Sequence, residues 1–173
     1  MASTDTHTAE SLRPGPLLKG RWHLHGRHCP TYHLQAFRKL TGKWRGTVTQ
    51  YSLDGQVLAT IPVEAENRLG CNSLYTLLVF TDPQGNQQRV EFTSFYSRKL
   101  DGFVVDNPAL KGTARQAGDS VVYTYENRSL PTPNLTIETV SVQGDTRLHT
   151  LQSSSGARFT GYAIIRETRV VAP

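Results

Sequence analysis

Cysteine is almost missing from this chain. Its 173 residues hold two, Cys29 and Cys71, too few for the disulfide framework of a small secreted scaffold. They allow one bridge from the N-terminal segment to the body, or two free thiols, and free thiols are the expectation in a reducing cytosol. Long apolar runs are also missing: no stretch approaches the ~18 residues a membrane-spanning helix requires. The first fifteen residues are polar, and Leu17-Leu18 is too short for the apolar core of a secretory signal. A cytoplasmic location is therefore expected, where the glycosylation patterns Asn127-Arg128-Ser129 and Asn134-Leu135-Thr136 carry no meaning. No Gly-x-Ser-x-Gly, P-loop or His-Glu-x-x-His occurs, so the enzyme classes built on those motifs are set aside.

Hydrophobic residues are 37% of the chain. A filled α/β core draws on more Leu, Ile and Val, whereas a barrel with a partly polar interior needs fewer. The formal net charge of +5 is unevenly spread. Residues 1–45 hold eight Lys or Arg and two acids; residues 46–173 hold eleven and twelve. The basic character thus belongs to the N-terminal arm and not to the folded body, which argues against a nucleic-acid partner.

Two regions follow from composition. Residues 1–30 read as a disordered or loosely packed, basic, His-rich arm. Residues 31–173 read as a single domain. Thr31 is a plausible N-cap for a short helix over 32–40, with Leu34, Phe37 and Leu40 on one face and Thr41-Gly42 ending it. From Trp44 on, short runs of Val, Thr, Tyr and Phe alternate with turn residues. Strands are expected over 43–52, 57–66, 73–81, 87–97, 103–106, 113–116, 121–127, 135–142, 146–152 and 157–171. Ser153 to Gly156 is read as a separator and Pro62 as an edge or bulge. About ten sequential hairpins without a crossover predict an all-β fold, an antiparallel up-and-down barrel with a short N-terminal helix.

A closed barrel brings its first and last strands together. Gly42-Lys43-Trp44 opens the first, and Arg166 and Arg169 lie in the last. Trp44 can then lie under Arg166 in a cation–π contact that also closes one barrel end. This Gly-x-Trp after a short helix, with an arginine in the last strand, resembles the lipocalin pattern. The wider stretch from Phe37 to Gly46, followed by Tyr51 and Asp54-Gly55, is similar to small bacterial lipocalin-like families. These include an uncharacterised cyanobacterial family and, more distantly, the phycobiliprotein lyases. The resemblance implies a cup-shaped barrel that holds a pigment, a fatty acid or a similar molecule. No counterpart of the lyases' chromophore-handling residues is found.

Alternation assigns the inner faces. Trp44, Gly46 and Val48 should face inward, as should Val90, Phe92, Ser94 and Tyr96, and Val121, Tyr123 and Tyr125. The last strand offers Phe159, Gly161, Ala163 and Ile165 on one face. On the other are Thr160, Tyr162, Ile164 and Arg166, which the Trp44 pairing favours. The ligand-binding candidates are Trp44, Val48, Tyr75, Phe92, Tyr96, Tyr123, Tyr125, Arg147, Tyr162 and Arg166: aromatic bodies with a few polar tips. The opposing possibility is that the tyrosine rings fill the barrel. His149 shares a face with Arg147, and Glu138 lies in the preceding strand, so Glu138, His149 and Tyr123 are the catalytic candidates. A solvated cross-strand pair is the plainer reading of Glu138 and His149.

Three functions remain. The first is a carrier or chaperone of a small, largely hydrophobic molecule. The second is an enzyme of the same fold that cyclises or isomerises a hydrophobic intermediate. The third is haem or metal binding, through His149 or through His23, His25, His28, Cys29 and His33. Cys29-Pro30 is similar to the short haem-regulatory pattern, but the spacing does not form a zinc finger. No cofactor is assigned. The expected partner is the small molecule, with no membrane span, and the oligomeric state, a dimer included, stays open.

Overall fold

A computed structural model describes residues 29–128, 134–156 and 158–171. Residues 1–28 of the arm, His23, His25 and His28 among them, lie outside the described residues, as does Ser129 of the first glycosylation pattern. Among the described residues one helix, α1 (Gln35–Leu40), precedes ten strands. These are β1 (Gly42–Tyr51), β2 (Val57–Leu69), β3 (Ser73–Thr81), β4 (Gln87–Ser97), β5 (Gly102–Asp106), β6 (Leu110–Ala117), β7 (Ser120–Asn127), β8 (Asn134–Gln143), β9 (Thr146–Ser155) and β10 (Arg158–Arg169). Every strand pairs antiparallel with its chain neighbours, and β10 returns to pair with β1, so the sheet is a closed up-and-down barrel. No helix among the described residues is long and apolar enough to cross a membrane.

Turn chemistry explains the succession of hairpins. In the β3–β4 turn both Asp82 carboxylate oxygens accept from Asn86, one from its backbone N–H and one from its side-chain amide, each at 2.8 Å. Gly85 supplies the positive φ, 86°, that this reversal requires. At the closure, Gly46 allows β1 and β10 to meet: a Cβ there would lie 1.8 Å from the Arg166 carbonyl oxygen.

Three local expectations change. Thr31 does not cap the helix, which starts at Gln35 with no side-chain cap of its own. Instead the Thr31 hydroxyl donates to the Gly70 carbonyl at 3.0 Å, and Gln116 Oε1 from β6 accepts the Ala36 N–H at 2.9 Å. The orphan donor of the first turn is met from across the barrel. Ser153 to Gly156 is not a separator, because β9 runs to Ser155. Pro62 is within β2, opposite Thr47 of β1, but pairing with β3 starts only at Val63. Proline therefore sits where β2 has a partner on one side only, which spares the ladder a missing donor.

The helix plugs one end of the barrel. Ala36, Phe37 and Leu40 are buried and pack with Leu74, Phe103, Val121 and Val140. The Phe37 and Phe103 rings meet edge to face, 4.8 Å apart. The last carbonyls of the helix, which have no partner within it, are met by the barrel. Trp44 Nε1 donates to the Leu40 carbonyl at 2.8 Å. Arg169 donates to the Thr41 carbonyl at 2.6 Å and to the Lys39 carbonyl at 3.0 Å. A cation at a helix C-terminus also suits the helix dipole.

Candidate functional site

Beneath the plug lies a cavity of about 310 Å³, at the lower end of the ~300–1,000 Å³ range of small-molecule sites. Its apolar wall comes from β3, β4 and β5, chiefly Leu78, Phe80, Val90, Phe92 and Val105, with Leu40 of the plug. Its polar wall comes from β7, β8 and β9, with Tyr123, Tyr125, Glu138, Arg147 and His149. A second, more open chamber of about 460 Å³ shares Phe80, Tyr125 and Asn127 with the first. It is lined by residues at the barrel end away from the helix, among them Tyr51, Leu58 and Tyr162. The Tyr51 and Tyr162 rings stack there, 4.8 Å apart.

Behind the polar wall is a buried chain of polar groups. Arg147 Nε donates to Glu167 Oε2 at 2.5 Å, and the two side chains are 2% and 1% exposed. Arg147 Nη1 donates to Asn67 Oδ1 at 2.6 Å, and the Asn67 amide donates to the Thr76 hydroxyl at 3.1 Å. Arg147 Nη2 has no hydrogen-bond partner among the described residues. The guanidinium carbon lies 4.7 Å from the centroid of the Trp44 ring, so its partner on that side is an aromatic face. His149 Nδ1 lies 2.5 Å from Glu138 Oε1. Its Nε2 is 3.0 Å from Glu167 Oε2 but off the line of a hydrogen bond.

These placements sort the sequence candidates. Phe92, Tyr123, Tyr125, Glu138, Arg147 and His149 come together in the inner chamber. Val48 and Tyr162 line the outer one. Trp44 is 1% exposed and lies behind the polar wall, not in the lining. Tyr96 packs on Phe103 and donates its hydroxyl to Asp101 at 2.7 Å. Tyr75 lies on the outer face, donating to Glu91 at 2.9 Å. Arg166 is exposed, so the expected Trp44–Arg166 contact is corrected: Arg169 stacks on Trp44, 4.2 Å from its centroid. The inner face of β10 carries Ala163, Ile165 and Glu167, the opposite of the favoured register. Asn67 and Glu167, both central here, were not among the candidates. Glu167 falls inward once that register is reversed. Asn67 lies just beyond the point where its strand was expected to end.

No family model matches the sequence, and no curated protein matches it. Solved structures share its fold. One is a protein of unknown function of the DUF3598 family from Nostoc punctiforme, with a TM-score of 0.61 at 15% identity. The match covers 78% of this chain and 49% of that one, so this chain spans about half its length. Another is the S-type phycobiliprotein lyase CPES from Guillardia theta, with a TM-score of 0.54 at 11% identity, covering 79% of this chain and 92% of that one. A third is a mutant of the fluorescent protein UnaG, with a TM-score of 0.47 at 13% identity, covering 78% and 99%. The first two of these share the antiparallel barrel fold of this chain.

Burial and charge set the protonation behaviour of the polar wall. Burial, then the nearby Glu138, raises the Tyr123 phenol above its ordinary value, and Tyr125 is raised in the same way. Both hydroxyls therefore stay protonated as donors. Burial opposes a charged His149, but contacts with Glu138 and Glu167 outweigh it, so its pKa rises above 6.5. Burial likewise opposes a charged Glu167, yet His149 and Arg147 bring it down to about 2.

The raised histidine stabilises the fold fully below pH 6.5 and loses that contribution as pH climbs through its folded-state value. The lowered carboxylate stabilises above 4.5 and loses its contribution as pH falls toward about 2. The melting temperature should therefore be highest between pH 4.5 and 6.5. The acid-side loss from Glu167 should be on the order of 3 kcal/mol, at ~1.4 kcal/mol per pKa unit. Calorimetry across the pH range, with His149→Gln alongside, checks this. The variant should lose the alkaline decline and keep only part of the acid one, because His149 is one of the two groups that lower Glu167; an alkaline decline unchanged in the variant contradicts the assignment.

Proposed function

We propose that the barrel binds a small, largely apolar organic molecule and acts as a carrier or chaperone for it. The observation that carries this reading is the inner cavity: an apolar wall of Leu78, Phe80, Val90 and Phe92 faces a wall of tyrosine, carboxyl and imidazole groups. Apolar burial supplies affinity, while a few fixed polar groups orient the guest. The tyrosine rings do not fill the barrel, and the outer chamber, which shares Phe80 and Tyr125 with the inner one, offers an entry route. The fold likeness to a bilin lyase is consistent with a pigment or fatty-acid guest. We take cytoplasmic residence and a domain beginning near residue 31 as parts of the same reading.

A second reading has its own observation. Glu138 stands on the cavity wall with His149 at 2.5 Å from it, an arrangement suited to moving a proton within a hydrophobic substrate. Cyclisation or isomerisation with Glu138, His149 and Tyr123 as catalytic groups would use it. The haem reading through His149 loses support, because both ring nitrogens face carboxyl oxygens. Among the described residues no group of three or more His, Cys, Asp or Glu is placed to hold a metal.

Native mass spectrometry and an absorption spectrum of the purified protein test the proposal. A co-purifying organic mass, or uptake of a neutral polarity-sensitive dye, is the expected result. Val90→Phe pushes a ring into the empty volume. It should weaken uptake at least ~10-fold while changing stability by no more than about 1 kcal/mol, because the added carbons fill space and displace little. Undiminished uptake in that variant would place the guest elsewhere. A guest released chemically altered, with Glu138→Gln abolishing the change but not the binding, would favour the enzyme.

A further inference from the structure

The two cysteines are 42 positions apart in sequence and are brought together at the plugged end of the barrel. Cys29 precedes the helix, and Cys71 occupies the β2–β3 turn. Both are free thiols, Cys71 exposed and Cys29 partly so. The backbone on each side is fixed. The Cys29 carbonyl accepts the Tyr32 N–H at 3.0 Å, and Cys29 Sγ lies 3.3 Å from the Thr31 hydroxyl. That hydroxyl donates to the carbonyl of Gly70, the residue before Cys71, at 3.0 Å. On the other side of the turn the Asn72 carbonyl accepts the Tyr96 N–H at 2.8 Å, and Gly70 donates to Ser73 at 2.8 Å. One buried hydroxyl, Thr31, thus bridges the chain before the helix to the turn and leaves the two sulfurs as neighbours.

We propose that Cys29 and Cys71 form a reversible modification site: an intramolecular disulfide that staples the segment leading into the plug onto the β2–β3 turn. The oxidant is a small-molecule disulfide such as oxidised glutathione. The Cys29 thiolate attacks one sulfur of that disulfide and releases one glutathione thiolate. The Cys71 thiolate then attacks the Cys29 sulfur of the mixed disulfide and releases the second. Two protons leave the protein, two electrons pass to the oxidant, and one sulfur–sulfur bond replaces another. The contact with Cys71, followed by that with Thr31, lowers the Cys29 pKa, while Cys71 is raised by Cys29. Cys29 is therefore the first nucleophile, and Cys71 the resolving thiol that attacks second.

Closing this bond encloses α1, β1 and β2 in one covalent loop. It restrains the unfolded chain and holds Leu34, Phe37 and Leu40 against the barrel.

The test is equilibration of the full chain in glutathione buffers of increasing oxidation, quenched and weighed intact. The expected product is monomeric protein lighter by two hydrogens, with a melting temperature raised by roughly 5–15 °C that returns on reduction. Cys71→Ser should instead accumulate a glutathione adduct at Cys29, because nothing resolves it. Cys71 is exposed and Cys29 partly so, so the Ser variants are expected to fold, and their melting curves check this. A wild-type chain that stops at the adduct, forms only linked dimers, or stays reduced at every ratio overturns the proposal. So does a closed form with an unchanged melting temperature. None of these outcomes bears on whether the cavity takes a guest.

Discussion

Arg147→Ala is expected to destabilise the barrel by roughly 3–5 kcal/mol, the usual cost of breaking a buried ion pair from one side. The substitution leaves Glu167, whose side chain is 1% exposed, with His149 as its remaining partner. It also strips Asn67 Oδ1 of its donor and removes one cation from the face of Trp44. The loss is caused mainly by what stays behind. Arg147→Met with Glu167→Gln should therefore recover at least half of it, since the pair's desolvation cost disappears with its charges. Urea unfolding of the single and double variants at pH 7 measures both. A single-variant loss below about 1 kcal/mol would mean that water reaches Glu167. A double variant less stable than the single would mean that the pair itself is the stabilising element.

Trp44→Ala should cost about as much, some 3–5 kcal/mol. The ring is 1% exposed and is held from three directions. Its N–H caps the helix at the Leu40 carbonyl, and Arg147 and Arg169 lie over it at 4.7 and 4.2 Å. Its removal uncouples the plug from the ion-pair cluster, because Trp44 is the side chain that touches both. The arginine controls separate this from a general packing loss. Arg169→Ala should cost about 1–2 kcal/mol, through the carbonyls of Lys39 and Thr41 and the stacked ring. Arg166→Ala, at an exposed outer position, should stay within ~0.5 kcal/mol. Equal effects of the two would contradict the observed β10 register.

Strand rhythm was readable because turn residues punctuate it. Asp82 to Asn86 announces a reversal whatever surrounds it, and the β3 and β4 limits agree with those expected. Inward faces were readable wherever one face was clearly apolar, as for Val90, Phe92 and Ser94. In β10 that signal fails, since Tyr162 and Ile164 are as apolar as Ala163 and Ile165. One position of slip exchanges every side chain between faces. The bulge between Phe159 and Gly161 further shifts the pairing with β9. With the apolar signal ambiguous, the expected Trp44–Arg166 pairing selects the Arg166 face, and that choice turns Glu167 outward. The approach of Glu138 to His149 and Arg147 was visible from hairpin pairing alone, as neighbours on adjacent strands.

The sequence by itself determined the ten-strand antiparallel barrel and the helix before it. Local turn chemistry and period-two alternation act over a few residues and need no distant partner. Only the tertiary structure decided which arginine meets Trp44, that Asn67 and Glu167 complete the cluster, and that Thr31 and Gln116 serve the helix from unexpected directions. Those contacts join residues dozens of positions apart. They depend on the register and angle at which the barrel closes, which no local pattern contains.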